Sequence, residues 1–284
     1  TSLNRFLSEK GKEAIICLAA GNEGDSKMFV GKKFTQDDVE LKTFILNNVS
    51  SGVDIWTNGP DPVEVSVLMV RRTNQRATAV ATVSSAGQSV TAGDLFTANM
   101  SGTCRLRSEV NSLNNRYHVA MSGTFEPKTA GSSYNVAVSV KGKVGQEVFV
   151  YGYGDEYTSF TSNAVSGYTD GTTDGTISDL ACSDNVVVVG SYNTRTSWPV
   201  FAGRYSYKSE FVVGEMSPFS SFGTSYSGIE LPTISAPGAA IISSFNRYET
   251  NTKDASWINE NTTAKVTASV GAVNYWGRMQ GTSM

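Results

Sequence analysis

The sequence predicts an α/β fold in which a core of parallel strands is interrupted by an all-β antiparallel sandwich. Continuous apolar runs at residues 15–20 and 185–191 are typical of strands buried on both faces of a parallel sheet. Between them, short strand-like runs alternate with turn signals, as they do in antiparallel sandwiches. We therefore predict a core of parallel strands made of residues 1–25 and 158–284, and an inserted, jelly-roll-like sandwich over residues 26–157.

The composition excludes several classes of protein. With 39% apolar and 17% charged residues, the 284-residue chain suits a globular protein with one large core or two ordinary ones. A formal net charge of −3 leaves no electrostatic footprint for nucleic acid or an anionic membrane surface. No stretch reaches the roughly 18 apolar residues of a membrane helix. The first residues lack the basic region and apolar core of a signal peptide, so Thr1 is not expected to be the natural start.

An amphipathic helix is predicted within residues 2–14 and is expected to end near Gly11. Leu3, Phe6 and Leu7 share one face of this helix, and Ser2 is a suitable N-cap. The apolar run that follows ends in Gly-Asn-Glu-Gly, which predicts a loop at the carboxyl end of a buried strand. Functional sites of open α/β sheets gather at that edge of the sheet.

The predicted sandwich has about seven to nine strands, no long helix and no internal repeat. Turn signals such as Asn-Gly-Pro-Asp at residues 58–61 separate the strand-like runs. Alternation of apolar and polar residues, as in Val-Asp-Ile-Trp from residue 53, indicates strands with one buried face. The clearest runs are Lys42–Asn47, Val53–Thr57, Val63–Val70, Thr78–Val83, Tyr117–Gly123, Tyr134–Val140 and Val148–Tyr153.

The three cysteines, Cys17, Cys104 and Cys182, show no C-x-x-C spacing. Cys17 lies in an apolar run and is expected to be an inert, buried thiol. A disulfide between Cys104 and Cys182 stays open at this stage. With one histidine and scattered cysteines, a zinc site is not expected.

Several stretches occur in an order that is typical of one enzyme family. Residues 17–24 read Cys-Leu-Ala-Ala-Gly-Asn-Glu-Gly, residues 231–238 read Leu-Pro-Thr-Ile-Ser-Ala-Pro-Gly, and residues 281–284 read Gly-Thr-Ser-Met. Together they resemble the subtilisin-like (S8 family) serine peptidases, whose A-A-G-N-E-G, A-P-G and G-T-S-M stretches follow the same order. The valine-rich strand at residues 185–191 and the Phe-Ser-Ser-Phe-Gly turn at residues 219–223 are also similar to that family.

The resemblance covers about half of the chain and implies that residues 1–25 and 158–284 form part of a three-layer α/β peptidase core. It also implies an endopeptidase that acts on polypeptides outside the cytoplasm, whether secreted, periplasmic or on the cell surface. Ser283 would be the nucleophile that forms the acyl-enzyme, and Asn22 would donate its side-chain amide to the oxyanion. One departure is that Leu231 and Thr233 stand where the family has lysine and aspartate. The substrate-binding residues that the resemblance implies are Ala19, Ala20, Gly21, Gly281 and Thr282.

The catalytic base is missing from the implied site. The one histidine, His118, lies inside the predicted sandwich and is expected to be a partly buried strand residue. The D-[ST]-G and H-G-T settings that precede the oxyanion asparagine in the family do not occur between Thr1 and Asn22. We therefore expect a chain that is inactive alone, with Ser283 on a free end, and that needs an upstream segment of the same protein to supply the aspartate and the histidine.

The resemblance implies no cofactor. Structural calcium is frequent in the family, and oxygen-rich clusters occur around Asp37 and Asp38 and around Asp170 and Asp174. Neither cluster has the EF-hand spacing, so both are expected to be solvated turns rather than metal sites.

Two other functions stay open at the level of the sequence. The sandwich could be a binding or adhesion module for a glycan or a protein, with Trp56, Tyr151 and Tyr153 as an aromatic platform. The simpler interpretation is that Trp56 is an aromatic residue of the core that lies beside a turn. The chain could also belong to a pseudopeptidase, in which the upstream aspartate and histidine are absent from the whole protein.

Overall fold

The chain folds as two compact units. Thr1–Asp25 and Gly175–Met284 form the core unit, and Ser26–Asp174 form the β unit. The computed structural model describes residues 2–10, 14–37, 39–46, 51–93, 100–127, 134–153, 158–200, 203–225, 227–245, 262–267 and 273–284.

The described residues form mainly strands, with one α-helix and one short 3₁₀ helix at Asp179–Cys182. Parallel and antiparallel sheets both occur. In chain order the elements are α1 Ser2–Lys10, β1 Cys17–Ala19, β2 Phe29–Lys33, β3 Val39–Ile45, β4 Ser51–Thr57, β5 Glu64–Arg71, β6 Ala77–Val83, β7 Ser89–Gly93, β8 Met100–Asn111, β9 Arg116–Pro127, β10 Tyr134–Gly142, β11 Glu147–Tyr153, β12 Phe160–Thr161, β13 Val187–Asn193, β14 Ser197–Val200, β15 Gly203–Ser206, β16 Gly223–Thr224, β17 Glu230–Leu231, β18 Ile234–Ala239, β19 Ile241–Phe245, β20 Thr262–Thr267 and β21 Val273–Met279.

A three-stranded parallel sheet in the order β1–β13–β18 lies in the core unit. Cys17 pairs with Val187, Ala19 pairs with Val189, and Val189 pairs in turn with Ile234. The two apolar runs seen in the sequence are thus neighbours in one parallel sheet. The buried residues that cluster at this sheet are Ala20, Ala181, Val188 and Leu231.

Near the start of the chain, one prediction is confirmed and another is wrong. The helix covers Ser2–Lys10, in agreement with the predicted end near Gly11. β1 lies at an edge of the parallel sheet as described, and its apolar run is not buried on both faces, because Ile15 is 81% exposed. The prediction that Cys17 is buried is therefore wrong, because its side chain is also exposed.

An antiparallel sheet in the order β19–β21–β20 leads to the end of the described chain. β18 and β19 are separated by Ala240 alone, which bends the backbone with a φ of 53°. β21 runs antiparallel to β19, with Met279 opposite Ile241. The residues after β21 therefore return to the carboxyl end of β18. The sequence analysis predicted neither this sheet nor the β14–β15 hairpin.

The β unit consists of two antiparallel sheets that share one apolar core. The five-stranded sheet has the order β12–β3–β10–β5–β6, and the six-stranded sheet has the order β2–β11–β4–β9–β8–β7. Val67 and Val138 of the first sheet and Ile55, Leu106 and Val119 of the second belong to the same buried cluster. All seven strands predicted for this part of the chain are present, with ends that differ by a few residues. β2, β7, β8 and β12 were not predicted.

The segment from residue 158 to residue 174, which the sequence analysis assigned to the core, is hydrogen-bonded within the β unit. Phe160 pairs with Ile45, Thr172 bridges to Phe29, and Thr169 donates its N–H to the Lys42 carbonyl. These backbone bonds explain why the unit extends to residue 174.

Removal of a buried side chain in the β unit should lower the free energy of unfolding. Leu106 is fully buried, and Leu106→Ala leaves a cavity, so we expect a loss of about 2–5 kcal/mol in urea unfolding followed by circular dichroism. Leu113→Ala is the matched control, because Leu113 is 93% exposed in the β8–β9 turn. Equal effects of the two substitutions would contradict the described core.

Candidate active site

The loop at residues 21–24 is held in one shape by glycine at both ends. Gly21 has a φ of 114°, and a Cβ there would lie 2.7 Å from the Ser221 Oγ. A Cβ at Gly24 would lie 2.2 Å from the carbonyl oxygen of Ser220. Larger residues therefore do not fit at either position, since the conformation or the packing excludes them. The loop follows β1 directly and presents Asn22 at its exposed tip.

A buried carboxylate fastens this loop to the turn at residues 219–223. One Glu23 carboxylate oxygen, Oε2, accepts the N–H of Asn22 at 2.8 Å and the hydroxyl of Ser221 at 3.3 Å. The Ser221 Oγ in turn accepts the N–H of Glu23 at 2.9 Å. Ser221 was not singled out by the sequence analysis, although the Phe-Ser-Ser-Phe-Gly turn that contains it was.

A fully hydrogen-bonded polar network lies behind the same turn. The N–H of Ser191 donates to the Ser220 Oγ at 3.0 Å, and the Ser191 and Ser217 hydroxyls are 2.7 Å apart. The Ser217 hydroxyl donates to the Asn193 Oδ1 at 2.8 Å. All four side chains are almost completely buried, so each bond is shielded from water. The network fixes the turn against β13.

Residues 281–284 are bound to the loop by Thr282. The N–H of Thr282 donates to the Asn22 Oδ1 at 2.9 Å, across 260 positions of sequence. The Thr282 hydroxyl lies 3.1 Å from the N–H of Gly21 and 3.2 Å from its carbonyl oxygen. On the other side, Gly281 donates its N–H to the Gly238 carbonyl at 2.9 Å. Ser283, the next residue, is exposed.

The hydrogen bond from Thr282 orients the Asn22 amide. Because Oδ1 accepts this N–H, the Nδ2 group points to the other side, and it has no hydrogen-bond partner among the described residues. The Ser283 Oγ lies 3.5 Å from the point that a Cβ would occupy at Gly281, and the Nδ2 and Oδ1 atoms of Asn22 each lie 3.6 Å from it. The Ser283 hydroxyl and the Asn22 amide therefore lie around one space, which the absence of a side chain at Gly281 leaves open.

Of the residues proposed to bind substrate, Gly21, Gly281 and Thr282 lie together at this space. Ala19 ends β1 and is half-buried. Ala20 is fully buried; its N–H donates to the Val189 carbonyl and its carbonyl accepts the N–H of Ser178. That these two alanines bind substrate stays a prediction.

The one histidine of the chain lies in the β unit. His118 is a partly buried residue of β9, and its Nε2 lies 2.9 Å from the Asp54 Oδ1. Its Nδ1 lies 3.6 Å from a Glu109 carboxylate oxygen, and its ring stacks on Trp56 at 4.0 Å between centroids. The core unit, which carries Ser283, contains no histidine in its sequence. The core unit therefore lacks an imidazole base of its own.

The three aromatic residues of the predicted platform do not line one cleft. Trp56 and Tyr151 border a cleft of about 240 Å³ together with Phe149, on the outer face of the six-stranded sheet. Tyr153 instead borders a separate cleft of about 500 Å³, and its hydroxyl donates to the Met121 carbonyl. Trp56 is half-buried on this outer face, so the interpretation as a core aromatic is wrong.

Two of the four aspartates in the predicted oxygen-rich clusters, Asp170 and Asp37, accept hydrogen bonds through their side chains. The Asp170 carboxylate accepts the N–H and the hydroxyl of Ser162 and the hydroxyl of Thr161, and these bonds lower the pKa of Asp170. Asp37 accepts the N–H of Val144, and Asp38 lies outside the described residues. Within the described ranges, no group of three or more His, Cys, Asp and Glu residues has the geometry of a metal site.

Comparison with known proteins places the chain in a family. A model of the subtilase family (peptidase S8) matches residues 126–284, more than half of the chain. The chain belongs to the subtilase family. The matched residues include the turn with Ser283, whereas Asn22 precedes them. The resemblance inferred from the sequence is thereby confirmed, and the family supports a serine peptidase.

A solved structure of a protease has a similar fold. The CspB protease of Clostridium perfringens is 19% identical, with a TM-score of 0.59, and the alignment covers all of this chain but 49% of that one. The chain thus spans about half the length of CspB. No curated protein matches the chain. No helix of the part that the structure describes is long and apolar enough to cross a membrane.

All three cysteines are free thiols, so the open question of a disulfide between Cys104 and Cys182 is answered in the negative. Cys104 is fully buried, and its burial raises the pKa of the thiol to about 12. Burial, with a smaller contribution from Asp179, also raises the pKa of Cys182. Reaction with a disulfide reagent requires the thiolate.

We expect a titration with such a reagent at pH 8 to modify two thiols of the folded chain, Cys17 faster than Cys182. The third should react only after unfolding in denaturant. Cys104→Ser should abolish that late reaction and leave the two early ones unchanged. Modification of all three thiols before unfolding would contradict the placement of Cys104.

Proposed function

We propose that this chain is part of a serine endopeptidase that cleaves polypeptides through an acyl-enzyme on Ser283. The observation that carries the proposal is the hydrogen bond from the Thr282 N–H to the Asn22 Oδ1, which leaves Asn22 Nδ2 available as a donor in the loop that contacts the turn with Ser283. A nucleophile next to a preorganised donor is the arrangement that acyl transfer requires.

In the proposed reaction, the Ser283 Oγ attacks the carbonyl carbon of the scissile peptide bond. A base takes the serine proton and later gives it to the leaving amine. The carbonyl oxygen becomes an oxyanion, and Asn22 Nδ2 and the backbone N–H of Ser283 donate to it. Water then attacks the ester, the same base takes its proton, and Ser283 is released with its hydroxyl restored.

The base and the residue that orients it belong, in this proposal, to residues of the full-length protein outside this chain. The absence of a histidine from the core unit supports this assignment. The isolated chain should then be inactive. The alternative is a pseudopeptidase, in which the full-length protein also lacks the base.

The wider setting is proposed on the same grounds. The core unit would be part of the three-layer α/β fold of a peptidase, and the β unit would be a sandwich domain inserted into it. The jelly-roll-like connectivity stays a prediction. A secreted, periplasmic or surface location follows from the family, whose members are often extracellular.

Labelling with a fluorophosphonate probe tests the proposed function, because the probe reacts with activated serines. In the full-length protein, Ser283→Ala should abolish the labelling. Asn22→Ala should slow it by about 10²–10³-fold, a magnitude measured in subtilisin itself rather than derived from this structure. The isolated chain should not be labelled.

Asn74→Ala is the matched control, since Asn74 lies in an exposed turn of the β unit. It should leave the labelling rate of the full-length protein unchanged. A folded full-length protein that shows no labelling would contradict the peptidase and favour the pseudopeptidase. Labelling that survives Ser283→Ala would assign the nucleophile to another residue.

A second candidate function is the binding of a glycan on the outer face of the six-stranded sheet. The observation that favours it is the cleft that Trp56 and Tyr151 border with the polar residues Asn114 and Arg116. Trp56→Ala should then reduce binding on a glycan array at least tenfold, while Tyr153→Ala, in the separate cleft, should not. Equal binding by both variants, or none by the unaltered chain, would exclude this function.

A further inference from the structure

We propose that Tyr207 is a positioning residue that sets the angle at which the turn with Ser283 leaves β21. The inference rests on the proposed function, because it concerns the same nucleophile. Tyr207 follows the β14–β15 hairpin, a part of the core unit for which the sequence indicated no role. Its hydroxyl joins the bend after β18 to the residue that precedes Gly281.

The Tyr207 hydroxyl makes two hydrogen bonds of opposite sense. It accepts the N–H of Ala240 at 3.0 Å and donates to the Gln280 Oε1 at 2.6 Å. Ala240 is fully buried at the bend between β18 and β19, where its N–H has left the sheet ladder. The bond to Tyr207 therefore satisfies a backbone donor that would otherwise be orphaned.

Arg278 reinforces the same contact from the strand itself. Its guanidinium donates to the Gln280 Oε1 at 2.7 Å, so this oxygen accepts two bonds. The guanidinium also lies 5.1–5.9 Å from the ring centroids of Trp198, Tyr205 and Tyr207. Cation–π contacts of this kind favour a fixed position for the arginine. Although Gln280 is exposed, its side-chain oxygen is thus held by two hydrogen-bond donors.

The contact of Gln280 with Tyr207 and Arg278 connects the proposed site to a series of packed aromatic rings. Tyr207 stacks on Phe211 at 4.0 Å between centroids, and Phe211 lies 6.2 Å from Phe219. The Phe219 carbonyl accepts the N–H of Gly24 at 2.8 Å, in the loop that carries Asn22. Both sides of the proposed site, the nucleophile turn and the oxyanion loop, are therefore supported by the segment around Tyr207.

The consequence for catalysis follows from the order of anchors along the turn. Gln280 is held by its side chain, Gly281 by its N–H and Thr282 by its N–H and hydroxyl, and Ser283 is the next residue. Loss of the first anchor should let the turn pivot about the others. A small displacement of a nucleophile lowers the rate of reaction without abolishing substrate binding.

The test uses the full-length protein and separates rate from folding. Tyr207→Phe keeps the ring but loses both hydrogen bonds, and it should lower the maximal rate constant of fluorophosphonate labelling about five- to tenfold. The probe concentration for half-maximal rate and the final fraction labelled should not change. Tyr205→Phe is the matched control, because Tyr205 also faces Arg278 but its hydroxyl makes no hydrogen bond among the described residues.

Two substitutions at Gln280 complete the test. Gln280→Leu removes the shared acceptor and should slow labelling as Tyr207→Phe does, with no further loss in the double variant. Gln280→Glu keeps a side-chain oxygen that can accept from both Tyr207 and Arg278, so this variant should be labelled at the rate of the unaltered protein. A lower labelled fraction with an unchanged rate constant would mean that Tyr207 supports folding only.

Equal rate constants for the Tyr207→Phe variant and the unaltered protein would overturn the inference and leave the proposed function intact. Absence of labelling in the unaltered, folded protein would overturn both.

Discussion

The hydrogen bond between the Thr282 N–H and the Asn22 Oδ1 is the contact on which the rest of the site depends. It joins two loops that are 260 positions apart and lies at the edge of a parallel sheet. The Oδ1 of Asn22 accepts a hydrogen bond from the turn, while its Nδ2 is left as a donor. One side chain therefore both joins the two loops and provides the donor of the proposed site. If the amide faced the other way, the side-chain donor of the proposed pair would be lost, and the backbone N–H of Ser283 alone would remain to stabilise an oxyanion.

The surroundings of this bond restrict its movement from three directions. Gly21 and Gly24 admit no side chain, so the loop packs directly on the turn that contains Ser221. The Glu23 carboxylate is buried and accepts hydrogen bonds from the Asn22 N–H and the Ser221 hydroxyl. Removal of either donor would leave a buried polar group with one hydrogen bond fewer, which would lower the stability of the fold. On the opposite side, the Tyr207 hydroxyl binds the Gln280 side chain, which directly precedes the turn that contains Ser283. Preorganisation of this kind lets a site stabilise developing charge without rearrangement.

The sequence predicts those parts of the molecule that local pattern controls. The apolar run around Val188 and the alternation around Ile55 each indicate a strand, and the glycines of Gly-Asn-Glu-Gly indicate a tight loop beside Asn22. Sequence pattern does not predict features that depend on contacts between residues far apart in the chain. The exposure of Cys17 depends on which strands flank β1, and the roles of Ser221 and Tyr207 depend on partners 198 and 73 positions away. No spacing rule connects such pairs, and therefore only the folded chain reveals them.

The most direct test of the account is a crystal structure of the full-length protein after reaction with a peptidyl boronic acid, which forms a tetrahedral adduct with an activated serine. We predict that boron is bonded to the Ser283 Oγ and that one adduct oxygen lies about 2.7–3.1 Å from Asn22 Nδ2. The Thr282 N–H should still donate to the Asn22 Oδ1. An adduct oxygen that points away from Asn22, or an adduct on a different residue, would contradict the assignment of the site.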